Sequence, residues 1–186
     1  IGATLTMLMS LIGAVGLILG ALSVTGVALA FSRELVSLVG QNPILILIAG
    51  AITSFILGMG MTATACYIFL AIVMAPALTA MGFNTIASHM FIFYWGMLSY
   101  ITPPMALAVY AASGISQSNP MKTGWTAVRI GIIAFILPFF FVYNPSLLAQ
   151  GSILSVTSAA LTGVIGVWML ASGVEGYLMW AGNIPN

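Results

Sequence analysis

The sequence predicts an all-α integral membrane protein, a polytopic helical bundle, and three observations lead to that class. Of the 186 residues, 62% are hydrophobic and 3% are charged, whereas soluble proteins carry about 25% charged residues. Apolar runs recur at the length of about 20 residues that a spanning helix needs. Helix-breaking residues interrupt the apolar sequence at 57–64 and at 99–104. Irregular backbone at membrane depth is tolerated only where protein buries it or where it lines a polar cavity, so these breaks are the first candidates for a site.

The scarcity of charged and metal-binding side chains excludes several classes of function. A net charge of +1 without a basic cluster argues against nucleic-acid binding. One cysteine, Cys66, and one histidine, His89, offer no metal-ligand spacing and no disulfide within the chain. Ser113 lacks the motif of a catalytic serine, so no enzyme is predicted. Because Ile1 starts directly in apolar sequence, we expect a fragment of a longer polypeptide.

The first two elements are a transmembrane helix at 1–31 and an interfacial segment at 32–42. The helix is predicted from a long apolar run with interspersed glycines. The segment after it is amphipathic and begins with Arg33 and Glu34, which suits the membrane surface. Pro43 marks where the next helix starts, because proline is favoured at the first helical position.

Residues 43–80 predict a re-entrant hairpin that enters and leaves the membrane on the same side. The apolar run 44–57 has 14 residues, which is about 21 Å of helix and is short for a span. A tip rich in glycine and threonine follows, and then a second arm of similar length at 65–78. The alternative is a tilted or glycine-kinked span followed by another span.

Residues 87–116 predict a transmembrane helix that is broken at Thr102, Pro103 and Pro104. Proline lacks the backbone donor and pushes the preceding residue out of the helical region, so we expect half-helices of about 13 to 15 residues. The two prolines are expected to open the second half-helix.

Transmembrane helices are also expected at 124–143 and 152–172, with a turn at Asn144 and Pro145 between them. Lys122 and Arg129, set against Arg33, place the Lys122 side in the cytoplasm by the positive-inside rule.

The chemistry of the two breaks favours Na⁺. Broken helices expose carbonyl oxygens at one end, which suit Na⁺, and amide groups at the other, which suit anions. Gly58 and Gly60 allow close backbone approach, while Thr62, Thr64 and Thr102 offer hydroxyls. No carboxylate lies near either break, which favours a cation held by neutral oxygens over a proton relay. The alternative is that the breaks only kink helices and the threonine hydroxyls bond to their own carbonyls.

Five segments carry motifs that resemble a known family. They are LGMGMTATACYI at 57–68, APAL at 75–78, FYWGMLSYITPP at 93–104, NPMKTG at 119–124 and FVYNP at 141–145. Together they resemble the large membrane subunit of tripartite ATP-independent periplasmic (TRAP) transporters, of the fused TAXI type, over nearly the whole chain. The chain departs from the family at Thr62-Ala63-Thr64, where the family usually has Pro-Thr-Thr.

The resemblance implies one half of an inverted-repeat elevator-type transporter, specifically its C-terminal repeat. By position it implies that sodium is bound by Gly58, Gly60, Gly96, Ser99 and Thr102. It implies that Thr62 and Thr64 face the substrate. The first inverted repeat, outside this chain, should complete the substrate pocket.

The predicted function is that of a permease subunit of a sodium-coupled secondary transporter, importing an organic acid that a periplasmic substrate-binding protein delivers. Na⁺ is the coupling ion and no cofactor is expected. The expected partners are that binding protein, the remainder of the permease with its scaffold helices, and the lipid bilayer. The expected location is the inner (cytoplasmic) membrane of a bacterial or archaeal cell, as a multi-pass protein. Two alternatives stay open, namely a structural or anchoring membrane subunit of a larger complex, and a pore-forming channel.

Overall fold

A computed structural model describes residues 13, 16, 17, 20, 21, 24–40, 42–59, 61–178 and 182–183, which fold mainly as helices. In chain order these are α1 (Val27–Val39), α2 (Pro43–Gly58), α3 (Ala63–Val73), α4 (Ala75–Ala80), α5 (Thr85–Leu98), α6 (Leu107–Ser116), α7 (Pro120–Ile130), α8 (Ile132–Tyr143), a 3₁₀ turn (Pro145–Leu148) and α9 (Ile153–Glu175). Two-residue strands, β1 (Tyr177–Leu178) and β2 (Gly182–Asn183), pair antiparallel after α9. The all-helical class is therefore confirmed, with this one short ladder in addition.

Polar residues between the apolar runs determine where helices begin. The side-chain oxygens of Asn42, Asn84 and Asn119 accept backbone N–H bonds from the first turns of α2, α5 and α7. In α2 and α7 a proline follows the cap, at a position where its missing donor costs nothing. Ser152 caps α9 in the same way. These caps fix the ends of the helices that surround the two breaks.

The core lies where α5 packs against α2, α3 and α8. Buried apolar side chains from these helices and from α4 form one cluster, which includes Leu47, Leu70, Leu78, Phe91 and Val142. Because lipid tails are as apolar as these side chains, close packing rather than exclusion of water stabilises such a core in a membrane. The arrangement leaves α5 as the central helix, with the hairpin arms on one side and α8 on another.

Two stretches in the described part of the chain are long and apolar enough to cross a membrane, namely 63–80 and α9. A third is possible if α7 and α8, which are bent by 41° at the residue between them, form one span. Only 6% of the apolar window of α9 is buried, so nearly all of this helix is available to lipid or to other parts of an assembly.

Both hairpin arms are longer than the sequence predicted, and they remain similar in length. The first arm, α2, has 16 residues, and α3 with α4 forms an 18-residue stretch that passes as a membrane span, whereas arms were expected at 44–57 and 65–78. Length alone therefore no longer separates a re-entrant arm from a span here, and the re-entrant placement stays a prediction.

The boundary between the expected helix at 1–31 and the interfacial segment at 32–42 is wrong. Gly26 has a φ of 70°, and α1 runs without a break from Val27 to Val39. Glycine adopts this left-handed conformation at no steric cost, so α1 starts directly after it. Most of residues 1–31 lie outside the described residues.

The expected helix at 124–143 starts earlier than predicted and is bent. The helix starts at Pro120, because Asn119 caps it and proline suits the first position. It then bends by 41° at Gly131, which separates α7 from α8. Pro138 lies inside α8, so this segment contains two interruptions of regular helical hydrogen bonding.

Candidate functional site

The two helix breaks lie directly against each other. Gly58 is the last residue of α2, and a Cβ placed on it would overlap the backbone carbonyl of Gly96 in α5. Both glycines are buried. Only a residue without a side chain permits such a backbone approach. The end of the first hairpin arm is thereby in contact with the end of the first half of the broken helix.

Gly96 is enclosed by both hairpin arms. A Cβ on Gly96 would lie 2.9 Å from Cys66 Sγ and 3.4 Å from Leu70 Cδ1, both in α3. It would also lie 3.8 Å from the backbone oxygen of Ser54 in α2. The last turn of α5 therefore passes between the two arms just below the tip.

Two hydroxyl groups bond to the final carbonyls of α5. Ser99 Oγ donates to the carbonyl of Gly96 at 2.8 Å, and Thr102 Oγ1 donates to the carbonyl of Leu98 at 2.7 Å. Ser99 is 1% exposed and Thr102 is half-buried. Carbonyls at a helix end lack intrahelical partners, so these hydroxyls satisfy them in the structure as it stands. Each hydroxyl oxygen keeps lone pairs for a further ligand.

Tyr100 joins the break to the hairpin tip, a role that the sequence analysis did not assign. Its hydroxyl donates to the carbonyl of Met61 at 2.6 Å, across 39 residues of sequence. Its own carbonyl accepts from the N–H of Ala108 at 3.1 Å, which ties in the start of α6. A polar aromatic residue beside a double proline was the available signal, but its partner depends on the tertiary fold.

The two prolines lie inside the break and do not open the second half-helix as expected. The helix α6 begins at Leu107, after Ala106 with a φ of 31°. The physical reason is that Pro104 disfavours the helical conformation at Pro103, just as Pro103 does at Thr102. The free amide groups at the start of this half-helix therefore lie about one helical turn further along the chain than predicted.

The predicted residues of the tip are only partly described. Gly60 lies outside the described residues. Thr62 caps α3, since its side-chain oxygen accepts from the N–H of Ala65 at 3.4 Å. Both Thr62 and Thr64 are exposed at the start of the second arm. The structure thus brings together Gly58, Gly96 and Ser99, sets Thr102 nearby in the break, and leaves the two threonines at the surface of the tip.

Ser54 adds a buried oxygen that the sequence analysis missed. It is 0% exposed, one helical turn before Gly58, and its hydroxyl has no hydrogen-bond partner among the described residues. A buried polar group left unsatisfied costs about 1–3 kcal/mol, so such a group calls for an explanation. Its position beside Gly96 makes it a candidate oxygen for a bound ion. Serine is common in apolar helices, so sequence offered no signal.

The site as a whole is uncharged and rich in oxygen. None of the charged residues of the chain belongs to either break. Within the described ranges, no group of three or more His, Cys, Asp or Glu side chains is placed to hold a metal ion. A ligand here would meet carbonyl and hydroxyl oxygens, which bind hard cations such as Na⁺ without a proton exchange.

A known family matches most of the chain. The family described as "Tripartite ATP-independent periplasmic transporter, DctM component" matches residues 1–156. No curated protein and no solved structure matches the chain. The match includes both breaks and ends just inside α9.

Proposed function

Because the chain belongs to the DctM component family of TRAP transporters, we propose that it binds the Na⁺ ion that drives uptake of an organic acid. A DctM component is the membrane permease of a TRAP transporter. The observation that carries the proposal is the backbone contact between Gly58 and Gly96, which joins two helix ends without any charged side chain.

Na⁺ is the ion that this chemistry favours. The last turns of α2 and α5 both direct carbonyl oxygens and the negative end of a helix dipole toward the region of contact. Ser99 and Thr102 supply hydroxyl oxygens in the same region. Together with Gly58, Gly60 and Gly96, these two residues form the proposed sodium site. Ser54 is a further candidate ligand. A proton-coupled transporter would instead need embedded acidic or histidine side chains.

The substrate is proposed to be a carboxylate that approaches the tip of the hairpin. The first amides of α3 carry the positive end of a helix dipole, which favours an anion. Thr62 and Thr64 are exposed there, and their hydroxyls can donate to a carboxylate. Only residues 59–62 separate the end of α2 from the start of α3, so Na⁺ bound at the first would also offset the charge of a substrate at the second.

The family works with a periplasmic binding protein and a small subunit. We propose that a binding protein delivers the acid to this permease in the inner membrane of a bacterial or archaeal cell. The re-entrant hairpin, the C-terminal repeat of an inverted pair, the elevator motion and the fused TAXI type are further parts of the proposal. They rest on the sequence motifs quoted above.

A reconstitution experiment tests the coupling. Intact permease in liposomes, supplied with its binding protein and a cognate acid, is expected to take up the acid only with an inward Na⁺ gradient. Equal uptake after replacement of Na⁺ by K⁺ would contradict the proposal. A protonophore that collapses the pH gradient should leave the initial rate unchanged when the membrane potential is clamped.

A second candidate function, that of an anchoring subunit, is favoured by one observation. The hydroxyls of Ser99 and Thr102 already bond to carbonyls of their own helix, as they would in a purely structural kink. An anchor predicts no Na⁺-dependent change in thermal stability, whereas the transporter predicts stabilisation by Na⁺ that K⁺ does not give.

A further inference from the structure

Helix α7 carries two of the three basic residues of the chain on its exposed side. Lys122 and Arg129 are seven residues apart, which is two helical turns, so they lie on the same face. Trp125 lies between them on that face and is 61% exposed. Basic residues beside an exposed tryptophan are typical of helices at the membrane interface.

The ion pair between α7 and α9 indicates the depth of this face. The 23 residues of α9 make about 34 Å of helix, enough to cross a hydrocarbon core of about 30 Å. The helix ends at Glu175, whose Oε2 lies 3.3 Å from Nη2 of Arg129. Arg129 therefore lies at the level where a spanning α9 leaves the hydrocarbon.

From that level α7 leads toward the membrane surface. Because the bend between α7 and α8 is only 41°, α7 continues away from the membrane core that α8 enters. Lys122 lies about 10 Å along the helix from Arg129. The headgroup layer on each side is about 5–8 Å thick, so the three side chains span it.

We propose that Lys122, Trp125 and Arg129 form a binding site for the phosphate headgroup of an anionic phospholipid. Arg129 has five N–H donors and uses one on Glu175, which leaves others for a phosphate. Met121 is 49% exposed next to this face, so apolar surface is available to the lipid backbone and chains. A free phosphate would gain nothing from that apolar surface, which favours a lipid as the source of the phosphate.

The opposite side of α7 packs against the helix break. A Cβ on Gly124 would lie 2.6 Å from Pro103 Cγ, and one on Gly131 would lie 3.1 Å from Ile101 Cδ1. A lipid on the outer face would thus act on a helix that directly contacts the break. An effect on uptake rests on the proposed function, whereas lipid binding itself does not.

Native mass spectrometry of the intact permease tests the site, with phosphatidylglycerol as the anionic probe and phosphatidylcholine as the neutral one. The measurement is made in K⁺ buffer without substrate, so its outcome is independent of sodium coupling. Each removed cation is expected to weaken phosphatidylglycerol binding about fivefold. The test variants are Lys122→Gln and the double variant Lys122→Gln/Arg129→Gln. Arg33→Gln, which removes the exposed basic residue of α1, is the matched control and should bind as the wild type does.

Two further results separate a lipid site from a general loss of structure. Arg129→Lys keeps the charge and should retain most of the binding, although it loses the forked geometry of the guanidinium. Lys122→Gln leaves the Arg129–Glu175 pair intact and should weaken binding even if the double variant does not fold. Unchanged phosphatidylglycerol binding in Lys122→Gln, an equal loss in Arg33→Gln, or equal binding of phosphatidylcholine would each overturn the proposal.

Discussion

Replacing Tyr100 by phenylalanine should loosen the candidate site without removing any proposed ligand. The hydroxyl of Tyr100 donates to the carbonyl of Met61 at 2.6 Å and is the bond that joins the helix break to the hairpin tip. Phenylalanine keeps the ring and its packing, so the change removes one hydrogen bond. The hairpin tip is then less firmly attached to the break. Gly58 and Gly96 must stay in contact for the carbonyls of both helix ends to reach one ion.

The magnitude follows from the cost of that bond. A typical hydrogen bond contributes about 1 kcal/mol net to stability. The carbonyl of Met61 is partly buried, so water can replace the lost donor only in part. Since about 1.4 kcal/mol corresponds to a tenfold change, the Na⁺ concentration for half-maximal uptake should rise about fivefold. The maximal rate at saturating Na⁺ should change less than that.

The assay is the initial rate of acid uptake into liposomes as a function of external Na⁺. Tyr110→Phe is the matched control, because the hydroxyl of Tyr110 also donates to a carbonyl of the break, that of Pro104 at 3.0 Å, without reaching the tip. Its half-maximal Na⁺ concentration should stay within about twofold of the wild type, since the exposed carbonyl can turn to other donors. An unchanged Na⁺ dependence in Tyr100→Phe, or an equal shift in both variants, would refute the reasoning.

Three more substitutions test neighbouring parts of the site. Gly96→Ala places a Cβ 2.9 Å from Cys66 Sγ, so it should lower the free energy of unfolding by about 1–3 kcal/mol and abolish Na⁺-driven uptake. Gly114→Ala is the control, because the space around Gly114 is open, and it should change neither stability nor uptake. Ser54→Ala removes an unpartnered buried hydroxyl, so it should raise the melting temperature in K⁺ buffer. If Ser54 is a ligand, the further rise in melting temperature that Na⁺ gives should become smaller. An unchanged rise with Na⁺ would exclude Ser54 as a ligand. Thr102→Val should weaken the Na⁺ dependence of uptake more than Ser113→Ala does, and equal effects would count against the assigned site.

The positions of the two breaks could be predicted from sequence because local chemistry determines them. Glycine at the end of α2 and the double proline after α5 disrupt helices whatever their surroundings. The caps at Asn42, Asn84 and Asn119 are local in the same sense, since each accepts from residues two or three positions further along. The end of α2 and the interruption after α5 were therefore predictable, whereas the start of α6 was not.

What escaped prediction depends on contacts between distant segments. The bend at Gly131 accompanies its contact with Ile101, 30 residues earlier, and nothing in the local sequence distinguishes this glycine from one inside a straight helix. The same holds for Tyr100, whose partner Met61 lies across the fold, and for Ser54, whose burial follows from the approach of α5. The start of α1 after Gly26 was not predicted, because several glycines lie in this apolar run and the sequence does not show which of them adopts a positive φ.

Sodium binding to the intact permease, measured by isothermal titration calorimetry at fixed ionic strength, tests the central claim most directly. The account predicts saturable heat with Na⁺, none with K⁺, and one fewer Na⁺ bound per chain in Gly58→Ala, because a Cβ there overlaps the carbonyl of Gly96. The same Na⁺ stoichiometry in a folded Gly58→Ala variant, or equal heats with K⁺, would contradict the claim that Na⁺ is held where the two helix breaks meet.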